Sequence, residues 1–303
     1  MHNMREGGNA MKKIAFSLFQ PVTMATIILF WAIAPASLAH NTWTLITVNV
    51  LVTAIVVALE FVNERYASWR ITGREFATDL FYTILTFTVI AQATKWLCDE
   101  PLGMVKHALG ITTPWVMHLP FVLQVLLVMF LIDFGQYWMH KAMHHTFLWW
   151  SHAPHHHITQ MNAMKGAVGN PTELFLITVS VVALFDVPES AVFCALSVSN
   201  VLGICTHANV RWDPPRWFMY TFNTIEAHSL HHSATSFEDT RCNYAGTFIV
   251  IDRLLGTYRE GESELVGQDE RKRLSIPEQF IFTFRPLIAA VKGRQRSSAS
   301  VPS

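Results

Sequence analysis

Residues 14–59 read IAFSLFQPVTMATIILFWAIAPASLAHNTWTLITVNVLVTAIVVAL and contain no Asp, Glu, Lys or Arg. As a single continuous helix these 46 residues would extend about 69 Å. The hydrocarbon core of a bilayer is only about 30 Å thick. The stretch therefore predicts two membrane-spanning helices that meet near residues 40–42.

A cleavable signal peptide is a competing interpretation of the first part of this stretch. Two lysines at residues 12–13 precede the apolar run, and Pro35-Ala-Ser-Leu-Ala39 resembles a cleavage site. The apolar run is about 25 residues long, whereas a signal-peptide core has roughly 7 to 15. The length favours a retained membrane span.

The composition of the whole chain agrees with a membrane protein. Apolar residues make up 51% of the 303 residues and charged residues only 15%, against about 25% charged in a soluble domain. The 22 basic and 22 acidic residues cancel, so net charge gives no reason to expect nucleic acid as a partner. The four cysteines are far apart and form no CxxC pair, which predicts packing residues rather than a disulfide framework or a zinc ribbon.

Further apolar stretches extend the membrane region. We expect a third span at residues 76–97, a loop near 98–114, and a fourth span at 115–135. Residues 174–206 are also apolar but are interrupted at 186–189, which predicts a hairpin that either spans or re-enters the membrane. The predicted fold class is an all-α, multi-pass transmembrane helical bundle of about four spans plus a membrane hairpin.

The distribution of Lys and Arg predicts the orientation. Basic residues flank the first span at 5–13 and occur again at 63–75, whereas the turn at 40–42 has none, which places the N-terminus in the cytoplasm. Four spans and a hairpin then bring the chain after residue 136 and the chain after residue 207 to the same, cytoplasmic side. We expect a bacterial inner membrane, with the endoplasmic reticulum as the alternative, because the final Ser-Val-Pro-Ser303 is not a retrieval signal.

We divide the chain into three parts. Residues 1–75 form an N-terminal tail with two spans, 76–260 form a central domain, and 261–303 form a cytosolic C-terminal segment that ends in a disordered tail rich in Gly, Ser and Arg.

Histidine is the unusual residue type, with 15 copies. Three clusters and one single histidine follow the fourth span, and we predict that their nine side chains bind metal: His140, His144, His152, His155, His156, His207, His228, His231 and His232. Spacings of three and four residues place imidazoles on one face of a helix. Nine imidazoles exceed the four ligands of one tetrahedral zinc and suit two metals. The neighbours His145 and His157 remain possible ligands or hydrogen-bond partners.

Five polar residues are predicted to support these ligands. Asp133 and Tyr137 share a helical face with His140 and His144, and a carboxylate near the end of a span is expected to accept the second ring N–H of a ligand histidine. The full set of supporting candidates is Asp133, Tyr137, Asn209, Asp239 and Asn243.

The order of these motifs resembles the fatty acid hydroxylase/sterol desaturase superfamily of integral-membrane non-haem di-iron enzymes. The resemblance covers roughly residues 76–258. It rests on the stretches Asp133-Phe-Gly-Gln-Tyr-Trp-Met-His-Lys-Ala-Met-His144, Trp150-Ser-His-Ala-Pro-His-His156, His207-Ala-Asn209, His228-Ser-Leu-His-His232, Asn243-Tyr-Ala-Gly246 and Asp252-Arg-Leu-Leu-Gly-Thr257.

The resemblance implies that residues 76–260 are a catalytic domain and that the helical spans carry a helical cytosolic cap in which the histidines hold two iron ions. It also implies O₂ as co-substrate and a lipid alkyl group as substrate, with zinc as a possible substitute metal. The chain departs from the family at Lys165 and at Asn170-Pro-Thr-Glu173, where members often have an Arg and a His-Pro-x-Glu stretch. It also lacks a second histidine just before His207, because residues 203 and 204 are Gly and Ile. A tenth ligand would then be water or an amide such as that of Asn209 or Asn243.

The expected activity is hydroxylation of a lipid alkyl position with O₂ and two external electrons. The chain shows no Rossmann fingerprint, Fe–S cysteine set or haem domain, so a separate ferredoxin, cytochrome or reductase is expected as electron donor. Desaturation by the same centre is the near alternative. A membrane metal-binding or transport protein, or a b-type cytochrome, is the alternative from another class.

Overall fold

The computed structural model describes residues 2–268 and 271–291, and its regular structure is helical. Within these residues the β pairing is limited to two isolated bridges, Glu64 with Val210 and Ser233 with Val266. The α-helices are α1 His2–Ile33, α2 Ala36–Ala39, α3 Thr42–Val62, α4 Gly73–Leu85, α5 Ala91–Thr94, α6 Glu100–Ala108, α7 Phe121–His145, α8 Trp149–His156, α9 Pro171–Thr178, α10 Glu189–His207, α11 Arg216–Thr221, α12 Ile225–His231, α13 Ile249–Leu255 and α14 Ile276–Ile281.

Short 3₁₀ turns connect many of these helices. They cover Ala67–Trp69, Pro114–His118, Lys165–Ala167, Val182–Leu184, Phe237–Thr240 and Phe282–Phe284. The all-helical prediction is confirmed.

Five helices are long and apolar enough to cross a membrane, judged by length and composition. They are Ala10–Ile33, Thr42–Val62, Gly73–Ala108, Phe121–His145 and Glu189–His207. Four of them correspond to the predicted spans and the fifth is the second arm of the predicted hairpin. The first arm, Pro171–Leu184, is shorter, and Val179 to Ser180 interrupt its helical backbone.

The boundaries of the third and fourth spans differ from the prediction. Residues 98–108, expected in a loop, continue the third helix, because π-helical turns at Thr86–Ile90 and Lys95–Asp99 join α4, α5 and α6 without a break. The fourth helix begins at Phe121 rather than near residue 115, because Pro120 precedes its first turn in an extended conformation.

Helix α10 lies at the centre of the bundle. It packs against α1, α3 and α7, and side chains along its length are buried, including Cys194, Val198 and Cys205. All four cysteines are free thiols. The prediction that they are packing residues is confirmed for Cys194, Cys205 and Cys242, which are buried, whereas Cys98 is only partly buried.

The two ends of the bundle are distinguished by different polar contacts. At one end the turn before α10 is tied to its neighbours, since Asp186 lies 2.5 Å from the Lys106 ammonium and Glu189 lies 3.1 Å from His40. At the other end Arg65, after α3, pairs with Glu226 on α12 at 2.9 Å. Helix α10 therefore starts at the first end and carries His207 to the second.

The segment after residue 260 packs against the histidine end. Glu262 accepts hydrogen bonds from Arg65 and Tyr66, while Leu274 and Phe282 form a small apolar cluster with Ala153. The predicted disordered tail, residues 292–303, lies outside the described residues.

Candidate metal centre

The structure brings all nine predicted histidines into two adjoining buried groups. The five-histidine group contains His140, His144, His152, His156 and His231. The four-histidine group contains His155, His207, His228 and His232. Within each group every residue offers one nitrogen, and these nitrogens all lie within 4.8 Å of one another.

The positions of the histidines on their helices decide which group each one joins. One turn of α7 separates His140 from His144, so both side chains lie on one face. In α8, His152 and His156 face the five-histidine group, whereas His155 faces the other. Helix α12 and its C-cap divide in the same way, since His231 joins the first group and the flanking His228 and His232 join the second. The two groups are therefore adjacent because α8 and α12 each supply both.

The spacing of the ring nitrogens fits a shared cation in the five-histidine group. The Nε2 atom of His152 lies 3.0 Å from that of His140, 3.1 Å from that of His144 and 3.0 Å from that of His156. Two nitrogens bound at right angles to one ion, each about 2.1 Å away, would be about 3.0 Å apart. Neutral imidazole lone pairs repel each other at that distance unless a proton or cation lies between them.

A buried nitrogen without a partner supports the same fit. The Nδ1 atom of His231 donates to the Cys242 carbonyl at 2.7 Å. Its Nε2 atom is buried and has no hydrogen-bond partner among the described residues. Buried polar groups are nearly always paired, so the residues present fit a metal ion.

The four-histidine group shows comparable spacing. The Nε2 atom of His228 lies 2.9 Å from that of His207 and 3.2 Å from that of His232. This group could hold a second ion, with fewer protein ligands than the first.

Burial keeps these imidazoles neutral. It lowers the pKa of His152 to about 3 and lowers the pKa values of His155, His156, His228, His231 and His232, because the charged form loses its hydration. A neutral imidazole has the free lone pair that a metal needs.

Three of the five second ring nitrogens in the five-histidine group have close acceptors. The Nδ1 atom of His140 donates to the Tyr244 carbonyl at 2.7 Å, and that of His152 donates to the Glu173 carboxylate at 2.7 Å. Together with the bond from His231 to Cys242, three rings are held in a fixed tautomer with Nε2 directed to the group.

Glu173 is a supporting residue that the list of sequence candidates missed. It lies in the first turn of α9, where Asn170 caps the helix by accepting the Thr172 N–H. The Asn170-Pro-Thr-Glu173 motif predicts a helix start, but only the packing of α9 against α8 shows that the carboxylate reaches His152. Gly169 allows this approach, since an added Cβ would collide with the Glu173 carboxylate.

The expected contact between Asp133 and a ligand histidine is wrong. One Asp133 oxygen accepts the Gly246 and Thr247 N–H groups, each at 2.9 Å, and the other accepts the Phe248 N–H. Asp133 lies two turns before His140 along α7, and at that level the neighbouring backbone is residues 246–248 rather than a histidine ring.

The other supporting candidates also have partners away from the rings. The Tyr137 hydroxyl pairs with Thr257, and the Asn209 amide pairs with the backbone of Tyr66. Asp239 pairs with Arg259. The Asn243 amide is engaged by Ala227 and Arg259, so neither amide is directed to the metal groups as a tenth ligand. His145 lies outside both groups and pairs with the Tyr244 hydroxyl.

The fold and the site together define a helical protein with membrane-spanning segments and a buried histidine centre at one end of its bundle. Residues 125–257 match the family model for fatty acid hydroxylase. The resemblance drawn from the histidine motifs is thereby confirmed.

Curated relatives extend the comparison. The ornithine lipid hydroxylase of Rhizobium tropici is 27% identical over 215 residues, which is 68% of this chain and 64% of that protein. The human alkylglycerol monooxygenase is 29% identical over 140 residues, 45% of this chain and 30% of that protein. The sphinganine C4-monooxygenase 1 of Arabidopsis thaliana is 29% identical over 144 residues, 45% of this chain and 54% of that protein.

The chain thus spans less than two thirds of the length of each of these relatives. Their names describe hydroxylases and monooxygenases that act on lipids, and the family supports an oxidoreductase. No solved structure gives a significant match to the chain.

Proposed function

We propose that this protein is a membrane-bound non-haem di-iron oxygenase that hydroxylates an alkyl position of a lipid. The observation that carries the proposal is the pair of adjoining, buried, all-imidazole groups at one end of helices long enough to cross a membrane. Residues 125–257, which match the fatty acid hydroxylase family, contain all nine of these histidines.

The ligand set suits oxidation better than hydrolysis. Imidazole binds iron, zinc and copper, but nine neutral ligands leave the charge of two metal ions uncompensated, which favours a strongly oxidising centre. Hydrolytic zinc sites more often combine one metal and a water with a carboxylate base. In this site the one carboxylate that contacts a candidate ligand, Glu173, is occupied by the His152 ring among the described residues.

When bound, the two irons would supply the reduction of O₂ and the oxidation of the C–H bond. In the balanced reaction one oxygen atom enters the lipid as a hydroxyl, the other leaves as water, and two electrons and two protons are consumed. The protein's own residues hold the ligand rings through Glu173 and backbone carbonyls. The burial of all nine imidazoles excludes bulk water from the space between the groups.

The proposal also includes the electron donor, the membrane and the domain organisation. The two electrons come from a separate ferredoxin, cytochrome or reductase. The enzyme lies in a bacterial inner membrane with the histidine end on the cytoplasmic side, where an alkyl chain from the bilayer and electrons from the aqueous phase can both reach it. Residues 76–260 act as the catalytic domain, preceded by the two spans of residues 1–75 and followed by the segment 261–303.

The substrate is proposed to be a membrane lipid with an alkyl chain. The three relatives named above are called an ornithine lipid hydroxylase, an alkylglycerol monooxygenase and a sphinganine C4-monooxygenase. The lipids in these three names all contain alkyl chains, and we therefore propose a lipid with an alkyl chain as the substrate class.

The test compares lipid extracts of a host that expresses the wild-type chain with extracts from a host that expresses His155→Ala. A lipid that gains one oxygen atom is expected only with the wild type. His107→Ala, an exposed histidine outside both groups, is the matched control and should behave like the wild type. A product that loses two hydrogens instead would indicate a desaturase, and identical lipids in all three hosts would contradict the proposal.

Metal analysis and an absorption spectrum of the purified protein complete the test. About two irons per chain are expected, with no Soret band. A Soret band would indicate a b-type cytochrome, and an ion released without any oxygen consumption would indicate a transport protein.

A further inference from the structure

The loop of residues 242–248, here called the carbonyl loop, orients two rings of the five-histidine group from a single piece of backbone. The Cys242 carbonyl accepts the His231 Nδ1–H and the Tyr244 carbonyl accepts the His140 Nδ1–H, both at 2.7 Å. These two histidines lie on different helices, α7 and α12, and are 91 residues apart along the chain. The position of this loop therefore decides how the two rings face the centre.

Asn243 lies between the two carbonyls and has a left-handed backbone conformation, with φ of +52°. Asn is one of the few non-glycine residues that adopt this conformation readily. Its amide donates to the Ala227 and Arg259 carbonyls and accepts the Arg259 N–H. This bend lets carbonyls on both sides of Asn243 reach rings of the same group.

Five successive backbone N–H groups of the loop are bound by two buried carboxylates. Asp252, on α13, accepts the Tyr244 and Ala245 N–H groups, each at 2.8 Å. Asp133, on α7, accepts the next three, from residues 246–248. Both aspartates have 1% or less of their surface exposed, so these charge-assisted bonds are formed away from bulk water.

The contacts of Asp252 form a continuous chain of hydrogen bonds to a candidate ligand. The Ala245 N–H and the Tyr244 carbonyl belong to the same peptide group. The N–H donates to Asp252 while the carbonyl accepts from His140. A carboxylate at the N–H side polarises the peptide and strengthens its carbonyl as an acceptor, which in turn makes the far nitrogen of the imidazole a better ligand.

Thr257 completes the arrangement. Its hydroxyl donates to the Asp252 carboxylate at 2.7 Å, and its carbonyl accepts the Asn243 N–H at 3.1 Å. The second peptide, between Cys242 and Asn243, is thus held at both its N–H and its carbonyl as the first one is.

We propose that Asp252 is a positioning residue that acts on His140 through the peptide between Tyr244 and Ala245. Glu173 fixes the orientation of the His152 ring and strengthens it as a ligand by direct contact. Asp252 has the same effect on His140 through the intervening peptide. This inference rests on the proposed function, because it assumes that the five-histidine group binds a metal ion.

The experiment measures metal binding by the full chain, purified in detergent and loaded with Co²⁺ alone. Competition with a chelator gives the affinity, and the visible spectrum of Co²⁺ reports the strength of its ligands. For Asp252→Asn we expect about tenfold weaker binding of one Co²⁺ per chain, the lower end of the effect of losing an outer hydrogen-bond partner, and an altered spectrum of that ion. The other Co²⁺ should bind as in the wild type.

Asp186→Asn is the matched control, because Asp186 is bonded to Lys106 and Thr113 at the opposite end of the bundle. A purely structural role for Asp252 would lower the unfolding temperature of the metal-free protein and leave the Co²⁺ affinity and spectrum unchanged. That result, or binding identical to Asp186→Asn, would overturn the inference. A wild-type chain that binds no Co²⁺ would instead contradict the proposed function.

Thr257→Val provides a second test if Asp252→Asn does not fold. It removes the hydroxyl that donates to Asp252 and leaves the carboxylate in place. We expect a weaker shift of affinity and spectrum in the same direction, whereas an unchanged spectrum would again overturn the inference.

Discussion

The two histidine groups lie side by side and differ in how their second ring nitrogens are held. In the five-histidine group, the Nδ1 atoms of His140, His152 and His231 donate to Tyr244, Glu173 and Cys242 respectively, whereas the buried Nδ1 atom of His156 has no hydrogen-bond partner among the described residues. In the four-histidine group His155 donates to the Val168 carbonyl and His207 donates to Gly203 within its own helix. The buried Nδ1 atoms of His228 and His232 find no acceptor in the described part of the chain.

The difference shows that ring orientation in the five-histidine group is preorganised by parts of the protein that are distant in sequence. Three of its five ring orientations are imposed by a loop and a carboxylate from other elements. The four-histidine group depends more on its own helices and leaves two ring nitrogens to pair with water or another ligand. The first group is therefore expected to hold its metal more rigidly, and the second to adapt more readily.

The largest effect is expected when a central histidine ring is removed from each group, because each group should then lose its metal ion. His152 has three neighbouring Nε2 atoms at 3.0 to 3.1 Å, so His152→Ala should abolish metal binding in the five-histidine group. His228→Ala should remove one metal from the other group. Product formation should fall by more than about 100-fold in both, since loss of a ligand exceeds the effect of losing an outer partner. Metal content per chain checks this, and an unchanged content in His228→Ala would show that the four-histidine group binds no metal.

The loop beside the four-histidine group allows a second test. The Lys165 ammonium is 2% exposed, lies 2.7 Å from Asp79 and also contacts Glu75. Lys165→Met leaves the buried Asp79 carboxylate without this cation, while Glu75 keeps its ion pair with Arg273, so the free energy of unfolding should fall by about 3 to 5 kcal/mol. Denaturant unfolding in detergent measures it. Lys165→Arg keeps the charge and is the control, and a loss as large in Lys165→Arg would argue against a role of the charge.

Substitution of Glu173 tests whether a remote carboxylate supports metal binding in the five-histidine group. Glu173→Ala removes the acceptor of the His152 Nδ1–H, and metal affinity should fall by about 10- to 100-fold. Glu173→Gln retains an oxygen that can accept this bond and should lose less. Chelator competition compares the two variants. Equal affinity in Glu173→Ala and the wild type would mean that the contact does not support the ligand.

The smallest effect is expected at Gly166, which faces the four-histidine group. An added Cβ would lie 3.1 Å from Cε1 of His207, so the ring must shift by a few tenths of an ångström. Gly166→Ala should cost about 1 kcal/mol in stability and alter metal binding in the four-histidine group alone. Gly103→Ala, where an added Cβ meets nothing within 4 Å, is the control in thermal unfolding. An equal effect on metal binding in the five-histidine group would contradict the local effect expected from the shift of the His207 ring.

Much of the fold follows from local patterns in the sequence. Uncharged apolar runs of sufficient length predict membrane helices because burying a charge in lipid is costly, and four of the five long helices arise at the predicted places. The ends of the third and fourth helices were displaced because π turns and the residue before Phe121 alter the backbone in ways that hydropathy does not record.

Local sequence patterns are enough to predict the helical membrane bundle and the nine candidate ligand histidines. The apolar runs predict the helices, and histidine spacings of three and four residues predict a common helical face. Tertiary structure alone decided which histidine joins which group and which atom each ring nitrogen contacts. Asp133 illustrates the reason, since it shares a helical face with His140 and yet binds the backbone of residues 246–248, more than 110 positions away. Helical periodicity specifies which side chains share a face, and only the packing of remote segments specifies what that face contacts.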